Sequence, residues 1–180
     1  MGGITHIVAG ERWRGWRIAM WGTAAFLLLL PAIAMRFTGA VDWDGRDFVT
    51  IGIMLAAACA TCELAARASG NGAYRTAAGV AVAAAFVTVW ANLAVGMIGD
   101  DGNPLNLLFG GVLAIALAGA ILVRFQSVGM ARAMIATAVV QCAVGAVGLS
   151  SDTRGAMFSM TFAAPWLLSA WLFRKAARES

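Results

Sequence analysis

Glu63 is the one ionisable side chain that lies well inside an apolar stretch of this sequence. It sits about one helical turn from the end of that stretch, so it could bind a proton or a cation, or pair with Arg67 four residues later. We favour the paired carboxylate, because a position at a helix end makes a buried charge less costly.

Cysteines offer a second possible chemistry, thiol–disulfide exchange. Cys59 and Cys62 form a C-x-x-C pair in the same stretch as Glu63, and Cys142 lies in a later one. The thiolate is the reactive form, and apolar surroundings disfavour it. We therefore interpret the cysteines as small core residues, with a thiol enzyme as the less favoured alternative.

Four uncharged polar residues are spaced on apolar stretches as if on single helix faces. Amides and hydroxyls in hydrocarbon need partners, so these faces should point towards other helices. They would then either line a solute path or join helices by hydrogen bonds, and we favour the second. The candidate intramembrane polar site consists of Glu63 with Thr88, Asn92, Thr137 and Gln141.

A short acidic loop is the third place where chemistry is conceivable. Asp100, Asp101, Asn103 and Asn106, with Asp152 from a later loop, could bind a cation, although solvated loops often carry such residues. The single histidine, His6, has no metal-ligand spacing around it, and no catalytic triad or phosphate loop is present. We predict no catalytic residue, no metal and no cofactor. The apolar faces could still accept a lipid, quinone or pigment.

Composition places these residues in a membrane protein. Of the 180 residues, 61% are hydrophobic and 12% charged, more apolar surface than a soluble domain of this size can cover. Six apolar runs are long enough to cross about 30 Å of hydrocarbon. We predict an all-α, polytopic bundle of six transmembrane helices. The spans lie near residues 18–35, 48–66, 76–98, 105–123, 132–149 and 156–173, and the fifth is the weakest because it contains Gln141 and several glycines.

Basic residues predict the orientation of the bundle. Ten of the thirteen lie in the termini and in the loops after the second and fourth spans, and three lie in the other loops. The positive-inside rule then places both termini in the cytoplasm. Residues 1–17 form an interfacial lead rich in tryptophan and arginine, 18–174 the bundle and 175–180 a tail. The arginines are too dispersed for a nucleic-acid surface.

An internal repeat is also predicted. Thr88, Asn92, Gly96 and Gly99 recur after 49 positions as residues of the same or similar type: Thr137, Gln141, Gly145 and Gly148. The first two spans match more loosely. Together they predict three tandem parallel helical hairpins.

Residues 89–109 carry a resemblance to known proteins. The stretch V-W-A-N-L-A-V-G-M-I-G-D-D-G-N-P-L-N-L-L-F resembles a segment of small polytopic bacterial inner-membrane proteins of unknown function. Weaker similarity links W-A-N-L-A-V-G and Ala164-Pro165-Trp166 to membrane proteins with S-P-W repeats, although alanine replaces the serine here. The resemblance implies a bacterial inner membrane and transfers no site residue.

Two functions remain open at this stage. Stripes of small residues, short loops and missing catalytic sets favour a non-enzymatic structural or accessory protein. It would associate with itself or pack onto a larger membrane complex. The alternative is a small channel or transporter with a polar path near Glu63, Asn92 and Gln141.

Overall fold

A computed structural model describes the backbone of residues 3–39 and 41–179, and side chains from residue 15 onwards. The side chains of His6, Arg12, Trp13 and Arg14, in the predicted lead, therefore lie outside the described residues. Over the described part the chain is helical, without strands. The helices are α1 (Gly3–Ala34), α2 (Gly45–Ala68), α3 (Gly72–Val95), α4 (Leu108–Leu122), α5 (Ser127–Gly148), α6 (Thr153–Thr161) and α7 (Ala163–Arg178).

The six predicted spans are confirmed as helices. Within the described residues, six helical segments are long and apolar enough to cross a membrane, the last comprising α6 and α7 together. The fifth was expected to be the weakest, yet half of its apolar window is buried, more than in any of the other five. Gln141 and the glycines, which weakened the prediction, lie on the side of α5 that packs against other parts of the protein.

The chain divides into two units, Met1–Glu63 and Leu64–Ser180. In the first unit, an aspartate pair closes the N-terminus of α2. The Asp44 carboxylate accepts from the backbone N–H groups of Arg46 and Asp47, at 2.7 and 3.0 Å, and Asp47 accepts from the N–H of Asp44. This reciprocal cap satisfies backbone donors that a helix start leaves free.

The second unit is built around α5. This helix packs against α4 on one side and against α6 and α7 on the other, while α7 also packs against α3. The main apolar cluster contains Tyr74, Met134, Trp166 and Phe173 among many alanines, and alanine lets helices approach closely.

The third span lies earlier in the chain than expected: α3 begins four residues and ends three residues before the predicted bounds, and with 24 residues it is not shorter. Residues 76–98 were predicted to be helical, but α3 ends at Val95, because Gly96 has a φ of +70° that other residues rarely adopt. A Cβ at Gly96 would lie only 2.6 Å from the carbonyl oxygen of Asp100. The chain turns there, and Met97 and Ile98 are buried in the turn with 1% and 0% of their surface exposed.

The sixth span is interrupted at Phe162, which the sequence analysis did not predict. Pro165 has no N–H to donate to the carbonyl of Thr161, and its ring crowds that carbonyl. The last turn of α6 closes instead by a bond from the Phe162 N–H to Ser159 O, at 3.2 Å.

The turn between α4 and α5 is strained. Arg124 and Phe125 have φ angles of 51° and 58°, in the left-handed region. The N–H of Arg124 donates to Ile121 O, and that of Phe125 to Ala120 O, the pattern of a helix end that normally uses glycine at the position of Arg124. The Tyr74 hydroxyl donates to Phe125 O at 2.8 Å and holds the turn.

We expect Arg124→Gly to stabilise the protein. It removes left-handed strain of about 1–2 kcal/mol, partly offset by the greater freedom of glycine in the unfolded chain, leaving a gain of about 0.5–1 kcal/mol. Unfolding of the purified protein in a mild amphiphile measures it. Arg132→Gly, the same change on the exposed face of α5, should cost about 1 kcal/mol. If both variants lose stability equally, the turn carries no strain.

Candidate functional site

Glu63 is buried within the first unit, with 7% of its surface exposed. Its Oε1 lies 2.9 Å from Arg17 Nε, and the Trp21 indole N–H donates to its Oε2 at 3.3 Å. The Arg17 contact is one of charge, because the Nε–H does not point at the oxygen closely enough for a hydrogen bond. The paired carboxylate that we favoured therefore has a partner on α1. Pairing with Arg67 stays a prediction.

The three cysteines are free thiols. Cys59 is buried in the first unit, where its Sγ lies 4.0 Å from the carbonyl oxygen of Met20 on α1. Cys142 is exposed on α5. A role for the C-x-x-C pair stays a prediction.

Thr88 and Thr137 are fully buried and bond within their own helices. The Thr88 hydroxyl donates to Ala84 O at 2.8 Å, and the Thr137 hydroxyl to Ala133 O at 2.9 Å. Because each bond returns to the carbonyl four residues earlier, neither hydroxyl proton is left for a solute.

The two amides reach out of their own helices. Asn92 Nδ2 donates to Asn106 O at 3.2 Å, and Gln141 Nε2 donates to Ser159 O on α6 at 2.9 Å. Their side-chain amide oxygens, Asn92 Oδ1 and Gln141 Oε1, are buried and accept no hydrogen bond from the described protein atoms. Each amide thus joins its helix to the segment that follows the next turn.

The paired positions of the predicted repeat make similar side-chain hydrogen bonds, but the backbone near them differs. Both threonines bond four residues back, and both amides donate across to a backbone carbonyl. Gly96, however, ends α3, whereas Gly145 lies inside α5 against Ser159 and Met160. The arrangement as three hairpins stays a prediction.

Asn106 is the centre of the acidic loop. Its Oδ1 accepts from the N–H groups of Met97 and Ile98, both at 3.0 Å, and its Nδ2 donates to Asp100 O at 2.7 Å. Asn103 caps the following turn through Leu105 N. Both asparagines are therefore used by the backbone of the loop, while the carboxylates of Asp100 and Asp101 are exposed.

Asp152 connects this loop to the start of α6. Its Oδ2 accepts from Gly99 N at 2.9 Å and its Oδ1 from Arg154 N at 3.1 Å. The hydrogen bond from Gly99, with others from Gly155 and Arg154, lowers the pKa of Asp152. A lowered pKa means that its contribution to stability is present above the ordinary carboxyl range and is lost as the pH falls through the lowered value.

No group of three or more His, Cys, Asp or Glu side chains is arranged to hold a metal ion within the described part of the chain. A cation at the acidic loop stays a prediction that this arrangement does not support.

Sequence reasoning missed two buried serines of the second unit. The Ser169 hydroxyl on α7 donates to Ala77 O on α3 at 2.8 Å, joining two helices distant in sequence. The Ser159 hydroxyl donates to Ala156 O, and its carbonyl receives Gln141. A serine in an apolar run is the signal that could have found them, because such a hydroxyl needs a partner.

Comparison of this chain with protein-family models, with curated proteins and with solved structures finds no match.

Proposed function

We propose that this is a non-enzymatic structural or accessory membrane protein that works by helix packing, with itself or with a larger membrane complex. The observation that carries the proposal is the use of four buried polar side chains in the second unit as hydrogen-bond donors. Thr88, Thr137, Gln141 and Ser169 all donate to backbone carbonyls. Donors bonded in this way join and shape helices, and their protons are not available to a passing solute.

The outer face of α4 is the surface we assign to the partner. Gly110, Gly111, Ala114 and Ala118 are exposed, and a Cβ added to either glycine would meet nothing within 4 Å. By contrast, Gly119 lies on the inner side of α4 and faces α5. A Cβ added to Gly119 would lie 2.9 Å from the Cβ of Ala133. A small residue of α4 thus lets α5 approach closely, and small residues on the outer face of α4 could let a partner helix approach in the same way.

We further infer a bacterial inner membrane with both termini in the cytoplasm. The ten-to-three division of basic residues supports the orientation, and the resemblance of residues 89–109 to small bacterial inner-membrane proteins supports the setting. The partners we propose are the bilayer and a second membrane protein or second copy.

Cross-linking in native membranes tests the assigned face. The double variant Gly110→Leu/Ala114→Leu should abolish cross-linked products heavier than one chain, because leucine holds a neighbouring helix away. Ala94→Leu, at an exposed position on α3, is the matched control and should leave them unchanged. Unchanged products in the double variant would remove α4 from the interface.

A small channel or transporter is the second candidate, and the unpartnered side-chain amide oxygens of Asn92 and Gln141 favour it. Proteoliposomes containing Gln141→Leu or Glu63→Gln should then show altered ion or proton flux. We expect no protein-dependent flux in the wild type. A flux that either variant changes would favour the transporter.

A further inference from the structure

An apolar groove of about 340 Å³ lies on the side of the second unit. Its walls belong to α3 and to the interruption of the sixth span. They are formed by Val80, Ala83, Ala84 and Val87 on one side and by Phe162 and Pro165 on the other. These residues fall near the middle of their segments, so the groove lies near the centre of the bilayer, where hydrocarbon surrounds the protein.

The interruption at Phe162 explains why the groove exists. On the C-terminal side of Phe162, α7 packs against both α3 and α5, whereas on the N-terminal side α6 packs against α5. The hydrogen bond from Gln141 to Ser159 O holds the last turn of α6 to α5. The space between α3 and α6 is therefore left open to the lipid.

Both walls lead from the groove to charged residues at the same end of the unit. Beyond α3 lie the exposed Asp100 and Asp101, and the first turn of α6 carries the exposed Arg154. From Val87 to Gly96, α3 rises about 13 Å, close to the roughly 15 Å thickness of one hydrocarbon leaflet. A lipid with its headgroup at this end could thus place the end of an acyl chain in the groove.

We propose that the groove holds an acyl chain of one zwitterionic phospholipid whose headgroup carries a primary ammonium, as in phosphatidylethanolamine. The ammonium would donate hydrogen bonds to Asp100 and Asp101, and the phosphate would accept from Arg154. Asp152 is less suited to the headgroup, because its oxygens already accept from backbone N–H groups. A quaternary ammonium has no N–H to donate, so phosphatidylcholine should bind less well.

Native mass spectrometry of the delipidated full-length protein tests this proposal. Phosphatidylethanolamine, phosphatidylcholine and phosphatidylglycerol with identical acyl chains are titrated separately. We expect one phosphatidylethanolamine per chain, bound more tightly than the other two lipids. Ala83→Leu fills the groove from an exposed position and should weaken this binding severalfold, because the leucine side chain takes the space in which the acyl chain would contact Phe162 and Pro165.

Two controls separate the groove and the charges from general effects. Ala136→Leu makes the same change at an exposed position in the middle of α5, outside the groove, and should leave lipid binding unchanged. The double variant Asp100→Asn/Asp101→Asn should reduce phosphatidylethanolamine binding to the level of phosphatidylcholine. Asp42→Asn, in the exposed loop before α2, should not. This comparison tests the proposal by itself if Ala83→Leu does not fold. Equal lipid binding by wild type, Ala83→Leu and the double asparagine variant would overturn the proposal. The proposal would also be overturned if the wild type retained no lipid and formed a dimer that Ala83→Leu dissociates, because the groove would then hold a second copy of the chain.

Discussion

Asn106→Ala should destabilise the protein by about 3–5 kcal/mol. The buried N–H groups of Met97 and Ile98 would lose their shared acceptor, and Asp100 O would lose a donor. Each buried donor left without a partner costs about 1–3 kcal/mol. Unfolding in a mild amphiphile titrated with a denaturing detergent would measure the loss.

Two neighbouring variants define what the Asn106 result means. Asn103→Ala removes one capping bond, to Leu105 N, and should cost about 1 kcal/mol. Asn106→Asp keeps an oxygen acceptor for Met97 and Ile98, but its buried carboxylate would face Asp100 O, so it should also be costly at neutral pH and less so once the carboxyl is protonated and can donate. If Asn106→Ala costs no more than Asn103→Ala, the loop is not organised by Asn106.

Gly145→Val should be the most damaging glycine substitution tested. A Cβ at this position would lie 2.6 Å from Met160 Cγ, 2.9 Å from Ser159 Oγ and 3.1 Å from Ala156 O. The carbonyl belongs to the backbone of α6 and cannot move without the helix, so α5 and α6 must separate. We expect a loss of at least about 3 kcal/mol, above the usual cost of one overpacked side chain.

Gly22→Val is the matched control on α1. Both glycines lie within helices, so the intrinsic effect of valine on helix stability is shared, but a Cβ at Gly22 meets nothing within 4 Å. The free energy of unfolding should change by less than about 0.5 kcal/mol at this exposed site. Equal losses in the two variants would contradict the close approach of α6 to Gly145.

The six spans were predictable because each one depends on the hydropathy of a single contiguous segment of the sequence. Six apolar runs determine six spans. Thr88, Thr137 and Gln141 are fully buried in the protein, where they find hydrogen-bond partners that hydrocarbon does not offer.

Features that depend on distant residues were not predictable. The Arg17–Glu63 contact joins side chains 46 positions apart on different helices, and sequence spacing alone suggested only the nearby Arg67. The end of α3 depends on the conformation of Gly96, which Asn106 stabilises from beyond the loop. The route of α6 towards α5 depends on Gln141 and Gly145 as much as on Pro165.

The native mass of the protein, extracted from its own membrane in a mild amphiphile with everything that co-purifies, tests the central claim most directly. We predict an assembly heavier than one 18.7 kDa chain, containing further copies or a larger membrane protein in fixed ratio. The Gly110→Leu/Ala114→Leu variant should reduce it to a folded single chain. A wild-type protein that is already a single chain with no protein partner would contradict a role in helix packing and favour a channel or transporter.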